Sequence, residues 1–131
     1  MGRRSDVDVL RRRAVDFLEL AENSRQEGKH DVACFLAEQA AQLYLKSALL
    51  KTIGDYSRTH SVRQLLKQLA DAIHSEKLRD FSEEWNTVLS GLEDAYIMSR
   101  YTGKQYDERD AAEYVKVVRL LFKAVEEAAG V

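Results

Sequence analysis

Residues 31–53, DVACFLAEQAAQLYLKSALLKTI, decide the fold. The stretch has neither Gly nor Pro, and Ala33, Ala37, Ala40, Ala41 and Ala48 are spread among Val32, Phe35, Leu36, Leu43, Leu45, Leu49 and Leu50. A surface helix shows one apolar stripe, whereas a helix apolar nearly all round must be covered on several sides. This is therefore the pattern of the central helix of a bundle, with alanines that let neighbouring backbones approach closely. At about 100° per residue, Gln39 and Lys46 fall within roughly 20° of each other, on a stripe shared with Val32, Phe35, Leu43 and Leu50. Polar groups so placed either snorkel to water along a solvated edge or find partners.

Working outward, the preceding helix is expected to start at Ser5, where Ser5 and Asp8 have capping-box spacing with Asp in place of Glu. Leu10, Ala14, Phe17, Leu18 and Ala21 form its apolar face, and Gly28 ends it. The short connection then makes helices one and two an antiparallel pair. On the other side, Gly54 stands where a left-handed C-terminal cap is needed, and the polar connection DYSRTH follows. Ser61 and Gln64 form a capping box for a third, shorter helix with the face Val62, Leu65, Leu66, Leu69 and Ile73. His74, Ser75 and Glu76 mark its end.

A fourth helix is expected to carry Leu78, Phe81, Trp85, Val88, Leu92, Ala95 and Ser99 over about six turns, with Gly91 marking a bend or a close contact. The polar segment SRYTGKQYDE breaks the period. Asp107 caps the last helix, with Glu108 and Asp110 in its first turn and Ala111, Val115, Val118, Phe122, Val125 and Ala129 on its face. The expectation is five helices: an all-α, antiparallel up-and-down bundle of four long helices and one shorter, forming one domain over residues 1–131.

Bulk properties agree. At 131 residues the chain can bury roughly two thirds of its unfolded surface, and the absence of proline favours helix. A net charge of −2 gives no overall argument for nucleic acid. The N-terminus is basic through Arg3, Arg4, Arg11, Arg12 and Arg13, which reads as a solvated helix start or, alternatively, a phosphate contact. Cys34 is the single cysteine and has no intrachain partner. It reads as a small hydrophobe in a reducing compartment. No signal-peptide pattern or run of ~18 apolar residues is present, so a cytoplasmic protein with no membrane role is expected.

Chemistry-bearing patterns are few. Glu27 and His30 make one Glu-x-x-His pair across a helix break, and a di-iron bundle needs two. Zinc, P-loop and nucleophile-elbow patterns are absent, so no metal or cofactor is expected. His30 and His74 read as surface residues at helix ends. His60 lies in a polar connection directly before a capped helix, where its ring can lean on the central helix or into a cleft. Arg100 is surrounded in sequence by Tyr96, Tyr101 and Tyr106, a planar cation among aromatic faces that suits a phosphate, a base or a docking protein.

Three segments in order, GKHDVACFLAEQAAQLYLKSALL, RTHSVRQLLKQLAD and DAYIMSRY, resemble the HEPN family, the domain of higher eukaryotes and prokaryotes named for proposed nucleotide binding. The resemblance covers nearly the whole chain. It implies an up-and-down bundle that forms a homodimer or a complex, often beside a minimal nucleotidyltransferase in a two-gene toxin and antitoxin pair. The family positions that match are Gln39, Lys46, His60, Arg100 and Tyr101, the implied ligand-binding set.

Many HEPN proteins are metal-independent ribonucleases with an arginine followed, after four to six residues, by a histidine near the end of the penultimate long helix. Such a histidine can take a proton from the ribose 2′-hydroxyl while arginine stabilises charge on the phosphate. Here Tyr101, Thr102, Gly103, Lys104, Gln105 and Tyr106 follow Arg100, and Gln105 cannot act as a base. Arg25 and His30 match the spacing at the wrong end of the fold. The leading expectation is thus a dimeric binding module for a nucleotide or a nucleotidyltransferase. The rivals are a ribonuclease using Arg100 with His60 or a tyrosine on RNA, and a purely structural adaptor.

Overall fold

The computed structural model describes residues 3–130; residues 1, 2 and 131 and the side chain of Arg3 lie outside the described part. Six helices follow one another: α1 (Arg3–Gln26), α2 (His30–Ile53), α3 (Val62–Ala72), α4 (Glu76–Glu84), α5 (Asn86–Tyr101) and α6 (Glu108–Ala129). α2 is the axis, packed against α1, α3, α5 and α6. Half of its residues are buried, and its five alanines are fully enclosed. Ala14 and Ala21 of α1 are equally buried, so small residues face each other where the two long helices pair. One core cluster takes residues from all six helices.

The punctuation explains the boundaries. Gly28 turns the chain at φ +79°, and Gly54 closes α2 at φ +84° with its N–H directed to the Leu49 and Leu50 carbonyls. Ser61 Oγ accepts the Gln64 N–H at 3.2 Å. At α6, Asp107 and Asp110 each accept the other's backbone N–H in a full capping box.

Two boundaries differ from the sequence expectation. α1 already runs from Arg3, so Ser5 and Asp8 lie within the helix instead of capping it. The expected fourth helix is two helices, which makes six elements in place of five. Trp85 is the single non-helical residue between them, at φ −102° and ψ +14°, its N–H bonded to Phe81 O and its carbonyl accepting from Leu89. Both neighbouring turns remain bonded through it, so the apolar period passes the break without a phase change.

Two contacts fix the regions around the site. Gly91 is a place of close approach, because a methyl group there would fall 2.6 Å from Tyr114 Oη. The Glu93 carboxylate on α5 accepts Ser61 Oγ–H at 2.7 Å, the Arg63 backbone N–H at 2.8 Å and the Arg63 guanidinium at 3.0 Å. Burial alone would raise the Glu93 pKa, but the hydrogen bonds from Arg63 and Ser61 outweigh it and hold the carboxyl below its ordinary value. This clamp ties the start of α3, and with it the adjacent His60, to α5.

Candidate functional site

The clamp and the central helix bring His60 and Arg100 to the same aromatic ring. His60 stacks on Tyr96 with centroids 4.8 Å apart and planes 19° apart. Arg100, one turn beyond Tyr96 on α5, places its guanidinium carbon 4.4 Å from the same ring centroid and donates Nε–H to the Tyr96 carbonyl at 3.0 Å. Tyr101 and Phe35 complete the aromatic surround, at 4.6 and 5.3 Å from the guanidinium carbon. Each such cation–aromatic contact contributes about 0.5–1 kcal/mol at an exposed site. Their larger effect is to hold the guanidinium over ring faces while its terminal NH₂ groups remain available. Among the described residues, Arg100 forms no salt bridge.

Beneath this surface lies a group that sequence reasoning missed. Glu38 is fully buried in α2. Its Oε1 accepts from Gln39 Nε2 at 2.9 Å, and its Oε2 accepts a short hydrogen bond from Gln42 Nε2. The Gln42 Oε1 in turn faces His60 Nδ1 at 3.4 Å. Burial pushes the Glu38 pKa up to about 7, against the lowering influence of the two glutamine amides and Lys46, with Glu93 adding to the rise. The usable signal was the combination of an all-round apolar helix with a Glu and a Gln four residues apart inside it.

The expected site residues therefore divide. His60 and Arg100 meet on Tyr96, Tyr101 packs on the Arg100 guanidinium, and Gln39 reaches His60 through Glu38 and Gln42. Lys46 leans elsewhere, over the Tyr56 ring at 5.4 Å beside Arg58 at 5.0 Å. Burial lowers the Lys46 pKa, the charge of Glu38 opposes that, and nearby Arg58 reinforces it. The polar stripe of α2 is thus partnered inside the fold, not simply solvated.

Tyr106 corrects the expected aromatic set: it is only 6% exposed and packs edge-on against Tyr114. Its backbone N–H donates to Asp31 Oδ1 at 2.7 Å, which folds the segment after α5 back onto the start of α2. Cys34 is buried and its thiol is pushed up to about 12, chiefly by that burial, so it packs as a small apolar group. No group of three or more His, Cys, Asp or Glu among the described residues is placed to hold a metal ion. No helix among them is long and apolar enough to cross a membrane. A separate open groove of about 730 Å³ runs beside α3 and α4, lined by Arg63, Lys67, Arg79 and Asn86 among others.

These features define a class first: an all-α bundle threaded on an alanine-rich helix, with a cation and an imidazole set on one tyrosine at its surface. The HEPN domain profile matches residues 7–128, and the chain belongs to the HEPN family. It is similar in structure to TT1696 from Thermus thermophilus, with a TM-score of 0.78 and 26% identity, covering 98% of this chain and 99% of that one. It is also similar to ST0689, an archaeal HEPN homologue, with a TM-score of 0.70 and 26% identity over 97% and 98% of the two chains. No curated protein matches the chain.

Proposed function

We propose that this HEPN protein is a dimeric binding module that takes a nucleotide on the Arg100–Tyr96–His60 face and acts beside a minimal nucleotidyltransferase. The observation that carries the reading is the exposed Arg100 guanidinium, free of any carboxylate among the described residues and framed by Tyr96, Tyr101 and Phe35. A guanidinium in that state offers a planar fork to a phosphate. The neighbouring aromatic faces suit a base, and stacking of that kind contributes about 1–3 kcal/mol per base. The partner class is the one that resemblance to HEPN proteins suggests. Exposed Val32, Ile97 and Tyr101 beside the site provide apolar surface for a second copy or for that partner.

The test is calorimetric titration of AMP and ATP into the wild type, Arg100→Ala and Tyr96→Ala. Binding that weakens at least tenfold in both variants supports the reading, and no heat from the wild type at millimolar nucleotide sinks it. Light scattering during gel filtration tests the assembly. A chain that stays monomeric at high concentration and forms no complex with the adjacent gene's product contradicts the dimer and the partner.

One observation favours a second reading, a metal-independent ribonuclease: His60 supplies an imidazole on the same ring as Arg100, although it comes from a different part of the chain. It requires RNA cleavage that persists in EDTA and disappears in both Arg100→Ala and His60→Ala. A wild type that leaves a mixed RNA pool intact eliminates it.

A further inference from the structure

We infer that buried Glu38 is a positioning residue that works through Gln42 to keep the proton of His60 on Nδ1, so that Nε2 stands as a bare acceptor on the Tyr96 face. Donors and acceptors decide the point. Above pH about 7 Glu38 is ionised and can only accept, and both its oxygens are occupied by glutamine amide nitrogens, Gln39 at Oε1 and Gln42 at Oε2. The orientation of Gln42 follows from that partner: its NH₂ points inward and its carbonyl outward. The reverse orientation would set a carbonyl against a carboxylate in an enclosed site, two acceptors with no proton between them.

The outward Oε1 lies 3.4 Å from His60 Nδ1. A carbonyl cannot donate, so as a hydrogen bond this contact takes its proton from Nδ1, and a neutral imidazole with its proton on Nδ1 has an unprotonated Nε2. The stack on Tyr96 holds the ring plane, and the Glu93 clamp holds the backbone next to it. No described residue hydrogen-bonds to Nε2, and His60 is exposed. The charges facing Glu38 are Lys46 on α2 itself, which favours the ionised form the relay needs, and Glu93 on α5, which opposes it. Arg58 acts on this set only through Lys46.

The consequence is a site with separate polarities: Arg100 donates, and His60 Nε2 accepts from an O–H or N–H on whatever lies across Tyr96. That meaning rests on the binding reading above, but the tautomer does not. The experiment is therefore done on the free protein, by long-range ¹H–¹⁵N correlation of the imidazole at pH about 8.5, where an ordinary histidine is neutral. The expected spectrum shows a protonated Nδ1 and a pyridine-like Nε2 at His60.

In Glu38→Met, which leaves Gln42 and His60 themselves unsubstituted, the Nε2–H form should rise several-fold, and Gln42→Leu should do the same. A wild-type proton on Nε2 overturns the proposal, and that result needs no variant to fold. So does a Glu38→Met protein whose His60 keeps the wild-type tautomer. AMP is then added to the same sample. A His60 that carries its proton on Nδ1 and does not shift with AMP contradicts the binding reading while leaving the relay standing.

Discussion

At the scale of single residues, Glu38 couples the site to pH. Its folded pKa of about 7 lies above the ordinary 4.5, so between these values the folded protein holds a proton that the unfolded chain has released. The stability linked to Glu38 is therefore complete below pH about 4.5 and is lost as pH rises through about 7, by on the order of 3 kcal/mol. Glu38→Met should abolish that slope, read from urea unfolding across the range, even though it leaves the buried Gln42 amide without its partner. An unchanged slope in the variant contradicts the assignment. Gly91→Ala tests a different residue: the gain of ~1 kcal/mol in helix propensity competes with overpacking against Tyr114 Oη, and we expect a net loss of about 1 kcal/mol. Combining it with Tyr114→Phe should restore stability if that oxygen is the obstacle. Residues of these two kinds were unequally legible. A glycine inside a helical period announces a bend or a close contact, whereas Glu38 in sequence is one of many helical glutamates, and only the packing of the other helices around α2 removes it from water.

At the scale of elements, the junction between α3 and α5 is pinned by one carboxylate. Glu93 accepts three kinds of donor from Ser61 and Arg63, and Glu93→Ala leaves the Ser61 hydroxyl and the Arg63 backbone N–H without this acceptor at a half-buried place, while the guanidinium keeps only Asn86 Oδ1. The expected loss is about 2 kcal/mol by chemical denaturation. Amide exchange should quicken in the first turn of α3 and around His60 while α6 is unaffected; uniform quickening would contradict a local clamp. The boundaries at Gly54, Ser61 and Asp107 could be read in advance because each depends on a local backbone requirement written in one residue type. Trp85 could not, since Leu78, Phe81, Trp85, Val88 and Leu92 keep the same period on both sides of the break. Tyr106 escaped for a third reason, its place being set by Asp31, far away in sequence.

At the scale of the whole molecule, the HEPN fold does two things with one helix. α2 fills the centre of the bundle with alanines and leucines, and it also carries the polar set Gln39, Glu38 and Gln42 out to His60. α5 brings Tyr96 and Arg100 to the same place, so residues separated by about half the chain form one face. The sequence made the bundle and the candidates His60, Arg100 and Tyr101 legible. It set Tyr96 beside Arg100 but could not show that the same ring meets His60, because only the packing of α5 beside the connection after α2 brings the two together. The central claim is that this face binds a nucleotide, and backbone ¹H–¹⁵N spectra recorded during AMP addition test it most directly. Saturable shifts centred on His60, Tyr96, Arg100 and Tyr101 are expected, and they should vanish in Arg100→Ala. Shifts confined to the groove beside α3 and α4, or none at millimolar AMP, would contradict it.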